Sequence, residues 1–238
     1  MRVGDNLEKM KKVAILQSNY IPWKGYFGLI ERADEFVILD EVQYTKNDWR
    51  NRNKIKGRSG VQWLTIPVRQ EQLAQRISEV KIQDHRWSSK HWNTLAQNYS
   101  KAKYFKDYSD QVENIYLEAG KLELLSHVNQ LFLKRICSIL AMDTKISNCT
   151  DYEIAGDRVD RLVNLCRQTG ADVYLSGPAA KDYLDETKFS SEGVTVEWMS
   201  YSGYPVYEQL FPPFEHGVTI LDLLFNVGPR HQQYMRTA

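Results

Sequence analysis

Residues 13–40, VAILQSNYIPWKGYFGLIERADEFVILD, hold the pattern from which the fold follows. The short apolar run 13–16 comes after a basic pair and breaks into polar Gln17, Ser18 and Asn19, as a buried strand does on reaching a loop. Pro22 and Gly25 punctuate the loop, and Tyr26, Phe27, Leu29, Ile30 and Ala33 then recur at helical spacing. A second apolar run, 36–39, ends at Asp40. Strand, helix and strand in that order imply parallel strands with a right-handed crossover. Both strands then end on one sheet edge, the edge at which open parallel sheets bind ligands.

Outward from this unit, residues 53–68, NKIKGRSGVQWLTIPV, read as a β-hairpin, because GRSG supplies turn residues between two β-forming segments. A further strand is predicted over 77–82. From 88 to 142 the chain has a single glycine, Gly120, and its leucines and aromatics recur every three or four residues, which predicts two or three helices. The tail returns to α/β alternation. Strands are predicted at 145–149, 172–175 and 194–199, with a helix over 157–168 that Gly170 stops and a last helix over 220–225. Asp157 and Asp160 suit the dipole at their helix start. The fold expected is α/β, a mostly parallel Rossmann-like sheet with a β-hairpin and a helical insertion at about 88–142, in one domain over 1–238.

Composition excludes several classes of function. Hydrophobic residues make up 42% and charged residues 26%, too balanced for a disordered or fibrous chain. Lys and Arg number 31 against 30 Asp and Glu, so no overall basic field draws the protein onto DNA or an anionic membrane, and an anion site must be local. Cys137, Cys149 and Cys166 have neither disulfide-framework nor zinc spacing and read as small buried hydrophobes in a reducing compartment. The charged start without a cleavage pattern, and the lack of an 18-residue apolar run, predict no secretion and no membrane insertion. The expected location is cytoplasmic.

Five segments could carry chemistry. The loop QSNYIPWKGYF places Gln17, Asn19, Tyr20 and Trp23 between a strand end and a helix start, where backbone N–H groups can meet an anion. Segment 40–56 follows the second strand from Asp40 and interleaves Lys46, Arg50, Arg52, Lys54 and Lys56 with Tyr44, Trp49 and asparagines including Asn51. Arginine forks suit phosphate and the aromatics suit a base or sugar face, although a charge run also serves as a solvated face. HRWSSKHW offers His85, Lys90 and His91 beside two tryptophans, and His91, at a helix start, is the preferred proton acceptor. DVYLSGPAAKDYL repeats the strand-end geometry with Ser176, Gly177 and Lys181. The last segment combines Tyr207, Gln209 and His216 with a helix carrying Asp222 and Asn226 on an otherwise apolar run. Nucleophile elbow, HExxH, EF-hand and GxGxxG patterns are absent, so covalent and metal mechanisms are disfavoured and no metal or tightly bound cofactor is expected.

AILQSNYIPWKGYFGLI, LDEVQYTKNDWRNRNKIK, KHW, YLSGPAAKDYL and TILDLLFNVG, in this order from Val13 to Gly228, resemble the motifs of the WbqC-like protein family. Ser18 stands where that family usually has proline, and VTILDLLFN stands for SILDLLFN. The resemblance implies a role in building bacterial O-antigen lipopolysaccharide or a similar surface polysaccharide, by adding an acyl group such as glycyl to an amino sugar. The first loop also resembles that of adenylyltransferase-type nucleotide-binding folds. Trp23 and Tyr26 replace both histidines of their HxGH motif and Gly25 keeps its glycine, which leaves nucleotide binding but not nucleotidyl transfer as the expectation.

Residues and resemblance together lead to N-acyl transfer to a nucleotide-linked amino sugar. Phosphates would be held by Lys46, Arg50, Arg52 and backbone N–H groups after Gln17 and Ser176. His91 would take the amine proton and Asp40 would orient the amine or a base. Asn19, Asn51 and Gln209 would bind sugar hydroxyls or the oxyanion. The acyl donor is a carrier protein, coenzyme A or aminoacyl-tRNA, and a homodimer is left open. Two rivals share the cleft, an ATP-dependent ligase or nucleotidyltransferase and a non-catalytic module that binds a nucleotide sugar or carrier protein.

Overall fold

A computed structural model describes residues 9–236, so most of the charged start lies outside the described residues. β1 (Lys12–Leu16), α1 (Lys24–Arg32) and β2 (Glu35–Ile38) form the expected unit, with the strands parallel and in register from Val13 opposite Glu35 to Leu16 opposite Ile38. From 39 to 144 the chain leaves this sheet. It first makes the hairpin β3 (Arg52–Gly57) and β4 (Gly60–Thr65), then a two-residue antiparallel pair, β5 (Val68–Arg69) and β6 (Lys81–Ile82). Three helices follow, α2 (Trp87–Tyr99), α3 (Phe105–Ala119) and α4 (Leu125–Ile139).

The strand predicted over 77–82 is mostly a 3-10 turn, Ile77–Glu79, ahead of β6. Ile77 and Val80 are both buried, and residues three apart fall on opposite faces of a strand but on one face of a tight turn. The Glu79 carboxylate accepts the Arg76 N–H at 3.0 Å and closes the turn.

The chain rejoins the sheet at β7 (Lys145–Asn148) and continues through α5 (Arg158–Thr169), β8 (Val173–Ser176), the short α6 (Glu186–Ser190), β9 (Thr195–Trp198) and α7 (Ile220–Val227). Asp157 caps α5 by accepting from Val159 and Asp160 N–H, and Gly170 ends it at φ +67°.

The five-stranded sheet runs β7-β2-β1-β8-β9, all parallel. In chain order this is third, second, first, fourth, fifth, so the winding reverses between β1 and β8 and opens a crevice at their carboxyl ends. Alternation along the strands feeds two cores. Val13, Ile15 and Val37 pack with Leu162, Leu165 and Phe189 of α5 and α6. Ala14, Phe36 and Ile38 pack with Phe27 of α1, Phe225 of α7 and Trp87, Tyr116 and Phe132 of the helical insertion. Both faces are therefore covered, as near-continuous apolar strands require.

All three cysteines are buried, and burial pushes the Cys137 and Cys166 thiols up to about 12. Among the described residues no helix is long and apolar enough to cross a membrane.

Candidate functional site

Gln17, directly after β1, and Ser176 and Gly177, at the end of β8, line a cleft of about 830 Å³ at the switch point. Its walls come from the loop after β2 (Glu41, Thr45), from the start of α5 (Arg158, Arg161) and from Tyr183 after β8. Arg158 and Arg161 are three apart in the first turn of α5, so both lie on one helix face, and the helix starts on the carboxyl edge of the sheet. The Arg158 guanidinium sits 3.3 Å from the Tyr183 ring centre. Arg161 is half-buried, and its Nε is shielded from solvent without a hydrogen-bond partner. Arg76 also lines the cleft and donates to the Glu41 carboxylate at 2.8 Å. A shielded guanidinium donor without an acceptor costs about 1–3 kcal/mol, which an anionic ligand would recover.

The loop after β1 uses its N–H groups differently from the expectation. Ser18 N–H donates to Asp40 Oδ1 at 2.9 Å and Tyr20 N–H donates to the Trp49 carbonyl at 2.9 Å, so neither is available to an anion. Asn53 Nδ2 donates to the Tyr20 and Ile21 carbonyls at 3.0 and 2.7 Å. This grip holds Ile21 at φ +40°, a strained conformation for a β-branched residue. Asp40 is 4% exposed, and burial raises its carboxyl against the opposing pull of the Ser18 N–H and of Arg50. It pins the loop, while its Oδ2 has no partner. Asn19 and Trp23 face away from the cleft into a separate pocket with Trp49.

Lys46, Arg50 and Arg52, expected to grip phosphate, lie outside this cleft. Arg50 turns back into the loop and donates to Asn19 Oδ1 and to the Ser18 carbonyl at 3.3 Å. Arg52 lies 4.3 Å from the Trp63 ring centre and donates to the Asn47 carbonyl, and Lys46 is exposed. None of the three lines the cleft. The loop and hairpin set off from the main sheet carry these cations away from the crevice.

His91 is 7% exposed. Burial, against one hydrogen bond to the Thr65 carbonyl, lowers its pKa to about 4. Its Nδ1 lies 2.9 Å from the Tyr20 hydroxyl, which itself pairs with the Tyr116 hydroxyl at 2.8 Å. The imidazole is engaged in the helical core, and Tyr20 is engaged with it. Asn51 is buried and donates to the Ile66 carbonyl. Tyr207 and Gln209 each donate to Asp222 Oδ1 at 2.8 Å, and Tyr99 donates to Oδ2 at 2.8 Å. Lys90 is exposed, 3.9 Å from Asp84, and Lys181 is exposed, 5.4 Å from the Trp198 ring centre.

Of the residues anticipated from sequence, the cleft thus gathers Gln17, Ser176 and Gly177. It adds Tyr183 from the segment DVYLSGPAAKDYL, and Arg158, Arg161, Arg76 and Glu41, which sequence reading did not single out. One signal was available: two arginines three apart directly behind an Asp cap, after a strand of the parallel sheet.

The sequence profile of the WbqC-like protein family matches residues 17–234. An uncharacterized protein of Mycobacterium tuberculosis is 49% identical over 228 residues, covering 95% of this chain and 98% of that protein. No solved structure matches.

Proposed function

The chain belongs to the WbqC-like protein family, and from that premise we propose that it is an N-acyltransferase holding a nucleotide-linked amino sugar in the cleft between β1 and β8. The observation that carries the ligand class is the unpartnered Arg161 Nε at the switch point, with Arg158 beside it on the same helix face. A diphosphate across these two guanidinium groups would satisfy Arg161 by charge-assisted bonds, and Tyr183, already under Arg158, offers a face to the nucleoside. The acyl-transfer step is supported by the family resemblance, which also suggests bacterial surface polysaccharide as the destination.

In that step the sugar amine attacks the donor's acyl carbonyl. A C–N bond forms, the carbonyl's bond to the donor's sulfur or oxygen breaks, and the ammonium proton passes to a base while the leaving group is protonated. Glu41 is the carboxylate that lines the cleft, and Arg76 fixes its orientation. It takes the place anticipated for His91, which is buried and does not line the cleft. Gln17, directly after β1, lines the same cleft and would donate to the oxyanion.

Calorimetry with uridine diphosphate and a uridine diphosphate amino sugar tests the binding. Arg161→Ala is expected to weaken it by about 2 kcal/mol, roughly 30-fold. No binding to the wild-type protein, or identical binding to the variant, sinks the proposal. Mass spectrometry of the sugar with glycyl and other donors tests the transfer. AMP or pyrophosphate release dependent on the acceptor would reassign the cleft to a ligase. Tight binding without conversion of any donor would leave a binding module.

A further inference from the structure

The β1–α1 loop has a second concave side. Asn19, Pro22 and Trp23 form a pocket of about 280 Å³ with Trp49, Asn53 and His216. Gln17 and Asn19, two residues apart, therefore line two different cavities. The Trp23 indole is fixed in the lining of the second by a close fit. It lies so near Gly25 that a Cβ there would come within 2.3 Å of the ring, and Tyr201 and Tyr204 pack against it at centroid distances of 5.4 and 5.7 Å.

The pocket continues outward along the hairpin as an aromatic surface. Trp63 lies 5.4 Å from Trp49 at an interplanar angle of 38°, and the two are 43% and 40% exposed. Two cations border them. The Arg52 guanidinium is 4.3 Å from the Trp63 ring centre, and the Lys54 ammonium is 5.2 Å from Trp63 and 5.9 Å from Trp49. Among the described residues neither cation pairs with a carboxylate. Adjacent exposed indoles flanked by unpaired cations are how proteins stack a base and neutralise the phosphate beside it. An acidic protein surface would meet the cations but leave the indole-lined pocket unfilled. His216 stands at the pocket, its imidazole lowered by burial and by the Lys24 charge, hence neutral and able to accept or donate a hydrogen bond at neutral pH.

We infer that this pocket and its Trp49–Trp63 platform form a second ligand site, for the adenosine phosphate that terminates an acyl donor, with the base on the indoles and the phosphate at Arg52 and Lys54. The identity of the ligand rests on the acyl-transfer reading, because coenzyme A and the 3′ end of an aminoacyl-tRNA share this group. The β1–α1 loop then separates a donor cavity from an acceptor cleft.

The probes are AMP, coenzyme A and a short RNA ending in CCA, followed by tryptophan fluorescence and calorimetry on the full chain. AMP is expected to quench fluorescence. Trp49→Ala and, outside the pocket, Trp63→Ala are each expected to weaken its binding tenfold or more while leaving uridine diphosphate binding unchanged. Lys54→Gln should reduce the salt dependence of binding. Coenzyme A binding more tightly than AMP supports a thioester donor, and the RNA binding more tightly supports an aminoacyl-tRNA. Failure of all three probes to bind, or binding unaltered in both tryptophan variants, overturns the inference. Binding of an acyl carrier protein in place of all three does the same. An intact adenosine site without acyl transfer would remove the proposed function and leave this site standing, whereas acyl transfer with no adenosine site would do the reverse.

Discussion

Two arginine-bearing regions differ in how they advertise themselves and in what they do. The segment 46–56 packs Lys46, Arg50, Arg52, Lys54 and Lys56 into eleven positions and is the most conspicuous basic stretch. The start of α5 contributes only Arg158 and Arg161. Yet the sparse pair lines the switch-point cleft, while the dense segment disperses its charges. Arg50 braces the β1–α1 loop, Lys56 is buried on the Pro213 carbonyl at 2.5 Å, and Arg52 and Lys54 cover Trp63 on the hairpin. Position relative to the sheet's carboxyl edge outweighs local charge density. A second contrast lies beneath the first. The cleft keeps an unpartnered donor, Arg161 Nε, whereas His91 Nδ1, the Tyr207 hydroxyl and the Gln209 amide are engaged within the core.

The harshest trial of that contrast is Asp222→Ala. Asp222 is fully buried and accepts from Tyr99, Tyr207 and Gln209, so its loss strands three donors and is expected to cost about 3 kcal/mol or more in urea denaturation. Nucleotide affinity of the folded fraction should not change. If binding vanished at full stability, Tyr207 and Gln209 would belong to the ligand site after all.

Next in size is the pH response of His91. Its native pKa is about 4 against an ordinary 6.5, so between these values the unfolded chain binds more protons than the native one. Stability from this group is therefore complete above pH 6.5 and is lost as pH falls through that window to about 4, by about 3 kcal/mol in all. Denaturation at pH 7.5 and 4.5 should show the drop, and His91→Gln should flatten it. An unchanged slope in the variant would mean that His91 is not the buried neutral group described.

The smallest effect sharpens the arginine comparison directly. Arg158→Ala should weaken uridine diphosphate binding about tenfold, or about 1.4 kcal/mol, while Lys46→Ala should leave it unchanged. Equal losses in both calorimetric titrations would erase the distinction between the two regions.

Much of the fold was legible in the amino-acid order because its signals are local. Apolar runs ending in polar residues marked β1 and β2, GRSG marked the hairpin turn, and Asp157 and Gly170 bracketed α5. The strand anticipated over 77–82 failed because a short apolar run carries no clear period, and the spacing of Ile77 and Val80 suits a turn. The site was harder to read. Gln17, Ser176 and Gly177 follow from strand ends alone, and the structure brings them to one cleft. Whether Asn19 and Gln17 share a cavity depends on the turn that Asn53 imposes at Tyr20 and Ile21, and Asn53 arrives from a strand more than thirty residues later.

By itself, then, the sequence determined the elements, their caps and the presence of a parallel sheet, since periodicity and capping act within a few residues. Tertiary structure alone decided which polar side chains remain free. A hydroxyl, imidazole or guanidinium looks equally reactive in any sequence. Its partners come from elements distant in the chain, as Tyr116 does for Tyr20 and Asp222 for Tyr99, and those partners determine whether its hydrogen bonds are already made or await a ligand.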